Sequence, residues 1–284
     1  MIKSWIDRFR QKSFSRRYAP HQEDAPLLAL EGVSAGYESG PALVDISFYL
    51  EPGAGVAVVG PNGAGKSTLF KIIAGILDPT RGVVRVSGHD PGGHTCIAYV
   101  PQRTQVDWTF PVTVSDVVMM GRINQMGPLL WPQAEDQEVV RRSLEIVGLT
   151  DLANRQISEL SGGQQQRMFI ARALAQEAEL MLLDEPLNGL DVPAQKSILD
   201  ILEVLKDRQV TMMVSMHDLN LASERFPRIM LLNQRMVAFG PAEEIMREDV
   251  LREAYGSRVT VVDGEDQTLA VDEGCCGEDH HGLA

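Results

Sequence analysis

Eight consecutive residues constrain this chain more than anything else in it. Gly60-Pro61-Asn62-Gly63-Ala64-Gly65-Lys66-Ser67 stand between a short apolar run at 55–59 and a segment of helical pattern at 68–74. The β-branched run predicts a buried strand, and the turn from it into a helix leaves backbone N–H groups without partners. Glycine lets such a loop wrap with those groups turned inward, and the helix start adds partial positive charge, so the segment suits phosphate oxygens. Lys66 supplies a point charge for β- and γ-phosphates, and Ser67 offers a hydroxyl oxygen to Mg²⁺, a cation that prefers hard oxygen ligands.

Other segments fit around this loop. Runs at 83–86 and 97–100 read as strands, 180–183 and 211–215 as buried strands, and 135–147, 164–176 and 193–205 as amphipathic helices. Alternation of strand and helix predicts an α/β fold with a mostly parallel sheet and helices packed on it. The run Leu180-Met181-Leu182-Leu183 ends in Asp184-Glu185. Beside a phosphate loop, Asp184 is placed to hold Mg²⁺ through water and Glu185 to orient and polarise an attacking water as general base. Leu160-Ser161-Gly162-Gly163-Gln164 opens a long helix, and a helix start with exposed N–H groups is another seat for an anion.

Bulk properties exclude several classes. A formal net charge of -13 over 284 residues opposes non-specific binding to nucleic acid. No run of eighteen or more apolar residues occurs, so a membrane role needs a separate partner, and residues 1–17 lack the apolar stretch of a secretory signal. Cys96, Cys275 and Cys276 are too few and odd in number for a disulfide framework, which points to a reducing, cytoplasmic compartment. Residues 1–26 form a basic extension in which Trp5, Ile6 and Phe9 either face an anionic membrane surface or belong to a solvated arm. Residues 27–260 carry the pattern above, and 261–284 read as an acidic tail, mobile from about Val259. Cys275, Cys276, His280 and His281 concentrate soft ligands in that tail and motivate weak zinc sensing there, whereas His89, His94 and Cys96 match no zinc spacing and read as a surface loop.

The phosphate loop, Gln102, the segment 160–164, Asp184-Glu185, the segment 188–191 and His217 occur in an order and approximate spacing that resembles the ATP-binding cassette ATPases over about residues 27–255. The resemblance implies a P-loop NTPase core with an antiparallel β subdomain and a helical subdomain, and a head-to-tail homodimer with ATP and Mg²⁺ as cofactors. In it, Ser161, Gly162, Gly163 and Gln164 of one copy cover the γ-phosphate held by Gly60, Asn62, Gly63, Ala64, Gly65, Lys66, Ser67 and Thr68 of the other. Tyr37 is expected to stack on adenine, Gln102 to reach Mg²⁺ and the attacking water, and Asp191 to couple the two sites. His217 is expected to contact the γ-phosphate and hold Glu185 and water, with Ser67, Gln102 and Asp184 around Mg²⁺.

Residues 103–122 look like the manganese/zinc/iron-type importer ATPases, with Trp108 and Phe110 either anchoring a partner helix or packing into the helical subdomain. The expected role is an ATPase pair on the cytoplasmic face of the cell membrane. It would energise import of manganese, zinc or iron through two integral membrane permease subunits, served indirectly by an extracytoplasmic substrate-binding protein. Siderophore import, export, or a soluble non-transport cassette are the alternatives. The acidic charge, and the absence of a second cassette or long coiled-coil insertion, weigh against the last.

Overall fold

The computed structural model describes residues 25–91, 96–102, 107–126, 131–256, 259–262 and 268–271. The chain opens with β1 (Leu28–Tyr37) and β2 (Gly40–Leu50), then β3 (Gly55–Val59), α1 (Lys66–Ile73), β4 (Arg81–Val86) and β5 (Ile97–Val100). A helical stretch follows with α2 (Val114–Met119), α3 (Ala134–Ile146) and α4 (Gly162–Ala175). The chain then returns through β6 (Leu180–Leu183), α5 (Val192–Asp207), β7 (Thr211–Met216), α6 (Leu219–Arg225), β8 (Arg228–Asn233) and β9 (Arg235–Pro241). It ends in α7 (Ala242–Ile245), α8 (Glu248–Tyr255), β10 (Val259–Val262) and β11 (Thr268–Val271).

The central sheet is six-stranded in the order β5-β6-β7-β3-β8-β9 and parallel except for the β8–β9 hairpin at its edge. Its inner strands β3, β6 and β7 are buried along their whole length, which is why they read as continuous apolar runs rather than alternating ones. Successive side chains feed opposite layers. Val56, Val58, Leu180, Leu182 and Met213 face a core shared with α1 and the antiparallel β2-β1-β4 sheet. Ala57, Val59, Met181, Leu183 and Val214 face a second core built with the helices. Hence the antiparallel sheet and α1 lie on one face of the central sheet and α4 and α5 on the other.

Helix starts depart from the expected bounds because their caps fix them. α4 begins at Gly162 since Ser161 and Gln164 form a reciprocal capping box, the Ser161 N–H donating to Gln164 Oε1 at 2.9 Å. α3 begins at Ala134, where the Gln133 N–H donates to Asp136 Oδ2 at 2.9 Å. The pairing of β10 with β11 bears on the stretch expected to be mobile. The strand pair β10–β11 is an antiparallel hairpin crossing the boundary drawn at 260, because its two β-branched runs pair where net composition suggested only a mobile acidic segment. Residues 1–24 and 272–284, with Trp5, Ile6, Phe9, Cys275, Cys276, His280 and His281, lie outside the described residues.

Candidate active site

The phosphate loop joins the C-terminal end of β3 to α1. A side chain at Gly60 would run into the Leu232 carbonyl oxygen on β8, and one at Gly65 would come within 2.5 Å of the Ala42 carbonyl oxygen at a φ of +96°. Both positions therefore admit glycine alone, whereas Gly63 needs it for its φ of +81° rather than for space. The loop is tied to its surroundings through the β8–β9 turn. The Gln234 N–H donates to the Ala64 carbonyl (2.8 Å), and the Gln234 carbonyl accepts from the Val44 N–H on β2 (2.7 Å).

The first bond of the helix proper runs from the Leu69 N–H to the Gly65 carbonyl at 2.8 Å, so α1 starts within the loop and turns its positive end toward it. Lys66 is 5% exposed and donates from Nζ to the Gly60 carbonyl at 2.7 Å and the Pro61 carbonyl at 3.4 Å. Ser67 sits at the same helix start, half-buried. Tyr37 closes the rim, with its hydroxyl 3.3 Å from Thr68 Oγ1 and its ring half-exposed.

The acids follow β6. Glu185 Oε1 accepts from His217 Nε2 at 2.7 Å and lies 4.0 Å from Lys66 Nζ. Its Oε2 accepts from Gln102 Nε2 and from Asn188 Nδ2, each at 3.1 Å. The hydrogen bond from His217 outweighs burial and, with the charge of Lys66 and the bond from Asn188, holds the Glu185 carboxyl below the usual glutamate value. Glu185 thus stays an anion beside Lys66. His217 Nδ1 is buried without a partner among the described residues.

Asp184 is 2% exposed. Its Oδ1 accepts from Ser215 Oγ at 2.8 Å and its Oδ2 from the Tyr99 hydroxyl at 3.1 Å. Burial, and then the charge of Asp184, push the Tyr99 phenol above the usual tyrosine value, so it remains a donor. Tyr99, Asn188 and Ser215 were not singled out from the sequence. Ser215 carried one signal, its place two residues before His217 in a mostly apolar strand.

The remaining residues of interest lie elsewhere on the same copy. Ser161 is exposed and caps α4, while Asp191 is exposed and caps α5 by accepting the Ala194 N–H at 3.0 Å. A side chain at Gly163 would come within 2.7 Å of Ala194 Cβ, so the starts of α4 and α5 are packed together. The segment 161–164 opens a helix packed on α2, α3, α5 and β5, while the phosphate loop leads into α1 on β2. Trp108 packs edge-on against Phe169 with centroids 5.7 Å apart, so of the two aromatics only Phe110, 58% exposed, presents itself outward.

Burial first, and then the charge of Glu179, push the Cys96 thiol up to about 12, which leaves it inert. No group of three or more His, Cys, Asp or Glu side chains able to hold a metal ion occurs among the described residues, and His94 lies outside them.

The donor set fits a magnesium nucleotide. A glycine loop that no Cβ could replace, a buried ammonium, a half-buried serine hydroxyl and a buried carboxylate with lone pairs to spare meet at one end of the sheet.

Residues 43–188 match the family model described as ABC transporter. The chain is 43% identical over 242 residues to the manganese transport system ATP-binding protein MntB of Bacillus subtilis, covering 85% of this chain and 96% of that one. It is likewise 43% identical over 237 residues to the zinc transport system ATP-binding protein TroB of Treponema pallidum, covering 83% and 89%. Among solved structures, a dimeric ATP-binding cassette in a post-hydrolysis state bound to ADP and Pi superposes with a TM-score of 0.66 at 27% identity, covering 76% of this chain and 98% of that one.

Proposed function

The chain belongs to the ABC transporter family of ATP-binding, ATP-hydrolysing cassettes, and from that premise we propose that paired copies of it energise import of a divalent manganese or zinc ion through a separate permease at the cytoplasmic face of the membrane. The observation that carries the catalytic part is the convergence of His217, Gln102, Asn188 and Lys66 on the carboxylate of Glu185 beside the phosphate loop.

The chemistry is chiefly positioning and charge neutralisation. Backbone amides of the loop and Lys66 hold the β- and γ-phosphates, and Tyr37 covers the adenine. Glu185 takes the proton of the attacking water, while His217 and Gln102 hold that carboxylate and the water in line. Ser67, Gln102 and Asp184 would hold Mg²⁺, and the ion would supply neutralisation of phosphate charge when bound. Ser161, Gly162, Gly163 and Gln164 of a second copy complete each site, and Asp191 links the two, in keeping with the exposure of both Ser161 and Asp191.

Phe110, Met120 and Ile123 are exposed apolar side chains on or beside the helical subdomain and offer anchors to a permease helix. No helix among the described residues is long and apolar enough to cross a membrane, which fits division of labour with such a partner. Divalent manganese or zinc is favoured as cargo by the systems that the relatives serve.

Reconstitution with the permease and binding protein in vesicles tests the reading. Mg-ATP is expected to drive uptake of Mn²⁺ or Zn²⁺, and Lys66→Ala to abolish it. Stimulation by a siderophore complex but by neither free ion would favour the siderophore alternative.

A further inference from the structure

The strand order β5-β6-β7 brings together side chains that are far apart in sequence. Tyr99 on β5 is paired with Leu182 on β6, and Leu183 with Val214 on β7. Alternation then puts Tyr99, Asp184 and Ser215 on the sheet face shared with α1 and the phosphate loop.

Ser215 is completely buried, and its hydroxyl is used twice. It donates to Asp184 Oδ1 at 2.8 Å and accepts the Glu185 N–H at 2.7 Å. Glu185 has a φ of +49°, in the left-handed region that residues other than glycine occupy only when their surroundings hold them there. From the opposite strand the Tyr99 hydroxyl donates to Asp184 Oδ2 at 3.1 Å. Two donors from two strands fix the plane of the Asp184 carboxylate, while each of its oxygens keeps a lone pair for water.

We propose that Ser215 and Tyr99 are positioning residues that clamp Asp184 between the strands flanking β6, and that Ser215 also holds Glu185 in its left-handed backbone, so that the Mg²⁺ dependence of nucleotide binding and the turnover rate rest on these two hydroxyls. The inference rests on the roles given above to Asp184 and Glu185. Both hydroxyls are engaged by the acids and the Glu185 N–H, so their removal acts through the acids.

The test compares full-length wild type with Ser215→Ala, Ser215→Thr and Tyr99→Phe. ATP affinity is measured calorimetrically with Mg²⁺ and with EDTA, alongside kcat, KM and thermal melting. Affinity in EDTA is expected to be unchanged in all of them. Ser215→Ala should lose about tenfold of the Mg²⁺ enhancement, the size of a lost hydrogen bond to a charged group, and a larger factor in kcat than in KM. Ser215→Thr, which keeps the hydroxyl, should restore both. Tyr99→Phe should lose part of the Mg²⁺ enhancement and less of kcat, because it touches Asp184 alone.

Unchanged Mg²⁺ enhancement and kcat in Ser215→Ala and Tyr99→Phe, whatever their melting temperature, would overturn the clamp. So would a Ser215→Thr variant as stable as wild type that behaves like the alanine variant. If wild type itself showed no Mg²⁺-dependent affinity for ATP, the reading of the site would fall, not the clamp alone.

Discussion

Glu185 gathers donors from three parts of the chain, and its chemistry follows from them. Because His217 and the groups around it depress its folded pKa below the unfolded value, its contribution to stability is present above the unfolded pKa and lost as pH falls through the folded one. The same depression keeps the Glu185 carboxyl ionised at mildly acid pH. Removing His217 removes the leading cause, so His217→Ala should lower kcat and move the acid limb of the ATPase pH profile to higher pH; an unmoved limb would take Glu185 out of the base role.

Gly65 makes a separate prediction. Alanine there meets both a φ of +96° and the Ala42 carbonyl, so Gly65→Ala should cost about 1–3 kcal/mol in a denaturant titration and weaken ATP binding strongly. Lys66, Asp184 and Glu185 were legible because each follows an apolar strand in a dense motif, whereas His217 was singled out only through the family resemblance. Ser215 and Tyr99 were not, since a hydroxyl in an apolar strand gains meaning only when a strand distant in sequence is set beside it.

Among the elements, those buried on both faces were the most legible. The bounds of β3, β5 and β6 coincide with the apolar runs that mark them, whereas helix starts shift to wherever a cap satisfies the first amides. The placing of β3 between β7 and β8 could not be read from local pattern, because it is set by non-local packing.

The helical stretch is held by a buried ion pair that no motif announced. Arg122 is 5% exposed and donates to Asp136 Oδ1 at 3.0 Å, to Glu177 Oε2 at 2.5 Å and to the Ala175 carbonyl at 3.0 Å, tying the end of α2 to the start of α3 and the end of α4. Arg122→Ala leaves a buried carboxylate unpaired and should cost about 3–5 kcal/mol. Thermal melting would read it, and a shift no larger than that of an exposed Arg141→Ala control would contradict it.

In the whole molecule, the two groups of residues assigned above to one nucleotide site lie on different elements. The phosphate loop and both acids lie at one end of the strands with α1, while Ser161 and Asp191 are exposed at the adjoining starts of α4 and α5. Val192, beside Asp191, is 77% exposed and apolar, as a surface awaiting a second copy would be. On the reading proposed above, hydrolysis is a property of the pair, with nucleotide as the glue between its members.

Glu185→Gln tests this most directly, since it keeps the shape and loses the base. Light scattering of that variant should give the monomer mass without nucleotide and twice that mass with Mg-ATP, with uncleaved ATP recovered from the dimer. A monomer at saturating Mg-ATP, or release of ADP at the wild-type rate, would contradict the account.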